Sequence, residues 1–281
     1  MIPYMNEKLS RSEQREIARQ KAREIREQQQ KKEKRNKLII QLSVVAVLLG
    51  SVGIVVAFIF GSQGSDVARP DLGEKPANME FDNGIRIGEG LEPVSEGAQQ
   101  DVLNIQIWVD YQCPVCQAFD VPNNQQIRSW VDTGVATVEY HPISFLDRAS
   151  VDNYSSRAAN FAACTANYSP ESFFDVNAIM MERQPGEGTG TLTDDDLLGI
   201  AEEAGVNVDD DFTACVASKA FDDWIQQTTN EVLTTPRPGS GVQITGTPSV
   251  IVDGEEYTWA TGEELVNPAR FASFVQSTMA E

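Results

Sequence analysis

Leu103–Cys116 reads LNIQIWVDYQCPVC, an alternating run that ends in a pair of cysteines. Leu103, Ile105, Ile107 and Val109 fall on one side of an extended chain and Asn104 and Gln106 on the other, the two-residue period of a strand. Asp110-Tyr111-Gln112 closes the run. Pro114 suits the first position of a helix, where its missing N–H leaves no bond unmade. That helix is expected to bend or break near Pro122 and to finish before Gly134. Val135–Tyr140 then predicts a second strand, and Gly84–Gly88 a short leading one.

A C-x-x-C pair alone serves zinc, haem, redox chemistry or a simple turn. Haem attachment needs a histidine directly after the second cysteine, and Gln117 stands there. A four-cysteine zinc site needs a second close pair, whereas Cys164 and Cys215 lie far apart on predicted helices, and His141 is the only histidine. No metal site is expected, and a phosphate loop at Gly186–Gly190 lacks its preceding strand and its lysine. Redox chemistry has a physical basis in the neighbours. Cys113 sits where a helix begins, so free N–H groups and the positive end of the helix dipole stabilise its thiolate. Cys113 is therefore the expected nucleophile, and Cys116, one turn further in, the resolving thiol.

Around that centre, residues 150–235 carry helical patterning. Thr193–Asp196 opens one helix as a capping box and Gly205 closes it. Strand signals return at Pro248–Val252, turn at Asp253-Gly254 and resume at Glu256–Trp259, before a C-terminal helix over Asn267–Met279. Gly246-Thr247-Pro248 precedes the later strand, a place where proline is tolerated and often cis.

Cys113-Pro114-Val115-Cys116 after a strand, with Thr247-Pro248 before a later one, resembles the thioredoxin fold. The resemblance implies a cis proline facing the cysteine pair and a substrate chain bound along the backbone at Thr247 and Pro248. About 130 residues separate the two motifs, and the surplus is helical. In this the chain resembles the DsbA-like thiol–disulfide oxidoreductases, in particular their membrane-anchored, Gram-positive-type members. Over residues 80–281 the expected class is α/β: a thioredoxin-like fold with an inserted α-helical domain. The activity implied is disulfide donation to unfolded exported proteins with free thiols. It needs no cofactor, acts as a monomer, and is renewed by an integral, quinone-linked membrane partner. Two departures bear on the redox potential: Val115 stands where the strongly oxidising enzyme has histidine, and Thr247 where it has valine. A potential between about −270 mV (thioredoxin) and about −120 mV (DsbA) follows.

Cys164 and Cys215 are either free buried thiols or a structural disulfide; outside the cytoplasm the disulfide is favoured. Asp110 reads as a proton relay for Cys116 or as a solvated strand-end carboxylate. His141 reads as a strand-end residue before Pro142, with a catalytic role the lesser alternative.

Charge places the domain. The whole chain is at −20, which disfavours nucleic acid as a partner. Residues 1–37 nevertheless hold 12 Lys/Arg against 6 Asp/Glu. Leu38–Phe60 follows, 23 residues without a charge, about 34 Å long as a helix and enough for a bilayer core. Residues 1–37 read as a cytoplasmic tail, 38–60 as one transmembrane helix, 61–79 as an extracytoplasmic linker, and 80–281 as the catalytic domain outside the cell membrane. The rival functions are an extracytoplasmic reductase, for example in cytochrome maturation, and a noncatalytic thioredoxin-fold binding module. An isomerase is disfavoured because no dimerisation segment is apparent.

Overall fold

A computed structural model describes residues 75–95, 102–188 and 190–279. The proposed tail and membrane span lie outside these residues, and among the described residues no helix is long and apolar enough to cross a membrane.

Five strands form one mixed sheet: β1 (Ile85–Ile87), β2 (Leu103–Val109), β3 (Ala136–Pro142), β4 (Ser249–Val252) and β5 (Glu255–Glu256), in the order β1-β3-β2-β4-β5. β2 and β3 run parallel, with Ile105 opposite Val138 and Trp108 opposite His141, and the other pairings are antiparallel. A parallel pair needs a crossover. It is supplied by α1 (Pro114–Asp132). Of the bend or break expected near Pro122 the break does not occur, and the helix continues through that residue. The missing N–H falls beside the exposed Val121, on the solvent side of the helix, where water can replace the lost bond. A second difference from expectation is β5, which covers Glu255–Glu256 and does not extend to Trp259. Tyr257 turns inward instead and packs on Phe271, ring centroids 5.1 Å apart.

Alternation along β2 divides the core. Ile105, Ile107 and Val109 face Phe119, Ile127 and Val131 of α1 in the main cluster, joined by Phe271 of α8 (Pro268–Thr278). Trp108 points to the opposite face, packing with Ile251, Ile143, Ile244 and Val232. The buried Glu139 crosses this second face as an anchor for three strands. It accepts from Arg86 at 2.7 Å and Gln106 at 3.0 Å, and lies 2.8 Å from His141 Nε2. Burial opposes its ionisation, but His141, Gln106 and Arg86 prevail and hold its pKa at about 2. A side chain at Gly84 would come within 2.6 Å of the His141 ring, so the hairpin ahead of β1 can approach only without one.

Between β3 and β4 stand α2 (Tyr154–Tyr168), α3 (Phe173–Glu182), α4 (Asp194–Glu203), α5 (Asp210–Ser218) and α6 (Asp222–Thr234). Thr193 and Asp196 close the capping box at the start of α4. This helical block packs on the sheet through Phe173 and Phe174 against Tyr140. A short turn, α7 (Gly262–Leu265), precedes α8.

Candidate active site

β2 ends at Val109 and the chain turns through Asp110-Tyr111-Gln112. The Cys113 N–H donates to Asp110 O at 3.0 Å, which fixes the turn. Cys113 is then the N-cap of α1 and Pro114 its first residue. Both thiols are free, with Cys113 keeping 5% of its surface exposed and Cys116 1%. Thr247-Pro248 is a cis peptide and brings the Thr247 carbonyl to 3.2 Å from Cys113 Sγ. Residues more than 130 positions apart in sequence therefore meet at one sulfur.

The two thiols have opposed environments. The Cys116 thiol donates to Cys113 Sγ, and together with Thr247 and the Cys116 and Val115 N–H groups it outweighs burial and lowers the Cys113 pKa to about 6. Burial pushes Cys116 the other way, and the neighbouring Cys113 sulfur adds to it. A nearly buried thiolate with a still more deeply buried thiol beneath it is an arrangement suited to exchange. Val115, Val121 and Val266 are all exposed, and a cleft of about 450 Å³ lies between Gln117, Ala118, Val121, Pro122, Glu182 and Val266. A hollow of about 270 Å³ is lined by Thr247 and Pro248 together with Thr245, Glu256, Tyr257 and Trp259.

Residues 92–275 match the family model described as Thioredoxin. The chain belongs to that family. Among solved structures it is similar to DsbA of Mycobacterium tuberculosis, with 25% identity, 70% of this chain and 93% of that chain covered, and a TM-score of 0.56. It is likewise similar to the DsbG disulfide oxidoreductase of the same organism, with 25% identity, 70% and 88% coverage and a TM-score of 0.55. It shares its fold with MdbA, a thiol-disulfide oxidoreductase from Actinomyces oris, at 19% identity, 76% and 97% coverage and a TM-score of 0.54. No curated protein matches the chain by sequence. The chain is a DsbA-like member of the thioredoxin family, with the cysteine arrangement of a protein thiol–disulfide oxidoreductase.

Within this thioredoxin-family site Asp110 is neither solvated nor free. Its Oδ1 accepts from Gln112 N–H, and its Oδ2 accepts from Leu146 N–H and Ser155 Oγ, at 2.7–2.8 Å. Burial raises its pKa to about 6 against the pull of those bonds. All of its side-chain partners belong to the turn and the helical insertion, so it clasps the two together. His141 lies on the far face of the sheet, stacked on Trp108 at 4.2 Å, and is not part of the site. Cys164 and Cys215 join α2 to α5 in a disulfide with Cα atoms 6.0 Å apart. Asn160 seals it, donating to Cys215 O and accepting from Phe221 N–H.

Sequence reasoning missed two sets of residues. Gln112 and Gln117 flank the cysteine pair and both donate to carbonyls of the insertion, Gln112 to Pro185 and Gln117 to Met181. The symmetric placement of two glutamines around C-x-x-C was the signal available. Asp120, one turn beyond Cys116, is fully buried, and burial raises its pKa to about 7. Its spacing from Cys116 put it on the inward face of α1.

Proposed function

We propose that this chain oxidises protein thiols outside the cytoplasm. The observation that carries the reading is the stabilised Cys113 thiolate, set against Thr247-Pro248 and bordered by exposed apolar side chains. In the oxidised enzyme a substrate thiolate attacks Cys113 Sγ, the Cys113–Cys116 bond breaks, and its electron pair leaves on Cys116, which takes a proton. A second substrate thiolate then attacks its partner's sulfur in the mixed disulfide. Cys113 departs as the thiolate, and the substrate keeps the disulfide. A leaving thiol with a low pKa speeds this second step, and a stabilised thiolate favours the reduced enzyme, so the enzyme acts as a disulfide donor. Unfolded exported chains suit the open apolar surface at Val115, Val121 and Val266 better than folded ones do.

Leu38–Phe60 anchors the protein as a single transmembrane helix, with the basic tail in the cytoplasm and the catalytic domain outside. An integral, quinone-linked membrane protein reoxidises the Cys113–Cys116 pair. The positive charge ahead of an uncharged span and the acidic domain behind it support this orientation.

Trapping tests the reading. Cys116→Ser should accumulate mixed disulfides with exported proteins, visible on non-reducing gels of cells, whereas Cys113→Ser should accumulate far fewer. Equal trapping by the two variants would refute the assignment of Cys113 as the attacked sulfur.

A further inference from the structure

The redox turn is held from the helical insertion as well as from its own helix. Gln112 and Gln117, on either side of the cysteine pair, donate to Pro185 O at 2.9 Å and Met181 O at 2.8 Å. From the same segment Gln184 reaches back, its Nε2 donating to the Cys113 carbonyl at 3.0 Å. That carbonyl also accepts from Cys116 N–H at 3.0 Å and Gln117 N–H at 3.3 Å. Three donors converge on an oxygen with two lone pairs. One of them, the Cys116 N–H, is also a donor to the Cys113 sulfur.

We propose that Gln184 is a positioning residue for the nucleophile: by supplying a donor to the Cys113 carbonyl, it frees the helix N–H groups to serve the sulfur. When Cys113 ionises or leaves a mixed disulfide, the Cys116 N–H is drawn toward the thiolate. Without Gln184 the partly buried carbonyl would compete for that donor, since a polar group shut away from water is costly to leave unpaired. The carboxamide also presents its positive end to the turn that carries the new negative charge. A residue of the insertion, some 70 positions from the cysteines, thereby sets the thiolate's stability. The inference rests on the reading of Cys113 as the reactive thiolate. Two charged groups border the turn. The Asp110 carboxylate is sealed by Gln112, Leu146 and Ser155, and Glu182 is exposed at the end of α3. Neither is altered by changing Gln184.

Two substitutions keep the length of the side chain and remove its donor. Gln184→Met is apolar, and Gln184→Glu is nearly the same shape but ionised and accepting only. Gln112 and Gln117 continue to hold the segment, so both variants keep their support. The full chain in detergent, reduced at Cys113–Cys116, is alkylated with iodoacetamide across a pH series, and Cys113 labelling is read by mass spectrometry. The wild-type midpoint is expected near pH 6. Gln184→Met should raise it by about one unit, a tenfold loss of thiolate below the midpoint, equivalent to about 30 mV toward a more reducing potential. Gln184→Glu should raise it further. Variants that fold, by an intact melting transition, and label with the wild-type midpoint would overturn the proposal. So would a lowered melting temperature with no shift in midpoint, the mark of a purely structural tie. A wild-type midpoint near the free-thiol value would instead remove the reading of Cys113 on which the proposal stands.

Discussion

Cys113 and Cys116 are the same side chain one helical turn apart, and their difference is made entirely by position. Cys113 caps α1 and collects donors from the Cys116 thiol, the Thr247 side chain and the backbone, which bring its pKa to about 6. Cys116 is sealed beneath it, where burial keeps its proton on. This asymmetry fixes how the potential responds to pH. Below about pH 6 two electrons reduce the pair with two protons, so the potential should fall ~59 mV per pH unit. Above that point Cys113 is a thiolate, one proton is taken up, and the slope should halve to ~30 mV per unit. The sign agrees with stability. A depressed thiol favours the reduced fold at high pH, and that contribution fades as pH drops through about 6. Glutathione titrations from pH 5 to pH 8 would show the change of slope, and a single slope of ~59 mV throughout would contradict the thiolate. The side chain of Val115, exposed beside the sulfur, offers no hydrogen bond to it beyond the one its backbone N–H makes. Val115→His should add one, moving the potential about 30 mV or more toward stronger oxidation in the same titration.

At the scale of elements α1 carries most of the chemistry, and its inward face extends past the cysteines to Asp120. Among the described residues one oxygen of that carboxylate has no partner within hydrogen-bond distance, and the other accepts a long 3.4 Å bond from Asn177. Burial raises its pKa from 3.8 to about 7. An acid with a raised folded value holds its proton longer in the fold than in the unfolded chain, so stability falls as pH rises from about 4 to about 7. Asp120→Asn keeps the shape and removes the ionisation. The variant should therefore nearly match the wild type in urea unfolding at pH 4 and exceed it at pH 8 by up to about 4 kcal/mol. No gain at pH 8 would mean that Asp120 is solvated. Other parts of the same helix show what sequence can and cannot reveal. Pro114 at its first turn, Cys113 before it and the alternation of β2 were legible because each depends on local chemistry. The passage of α1 through Pro122 was not, because tolerance there depends on which side of the helix faces water. β5 was read too long, since Tyr257 and Trp259 suit a strand but serve the α8 core. The partners of Gln112, Gln117 and Gln184 were not legible for a third reason: they join segments whose proximity only the finished fold creates.

For the whole molecule the insertion is the unusual part, because it both packs on the sheet and reaches into the redox turn. It carries one covalent tie, Cys164–Cys215, which spans 51 residues between α2 and α5. Closing a loop of that size restricts the unfolded chain and contributes about 4 kcal/mol in the chain-entropy description. The tie lies among buried apolar side chains, with Asn160 bonded across it, while the exchanging pair sits at the start of α1. The two cysteine pairs therefore divide the labour: one sets stability and the other does the chemistry. Replacing Cys164 and Cys215 together by Ala should lower the melting temperature by about 8–16 °C, at ~2–4 °C per kcal/mol for a domain of this size. Exchange with a model peptide thiol, measured well below the new transition, should stay close to wild type. Gln184 and Asp110 would feel any loosening of the insertion, so the Cys113 alkylation midpoint serves as the internal check. A midpoint that rises only as the variant begins to melt fits a structural disulfide. A loss of exchange in the fully folded variant would mean instead that electrons pass through Cys164 and Cys215, and the division of labour would fail.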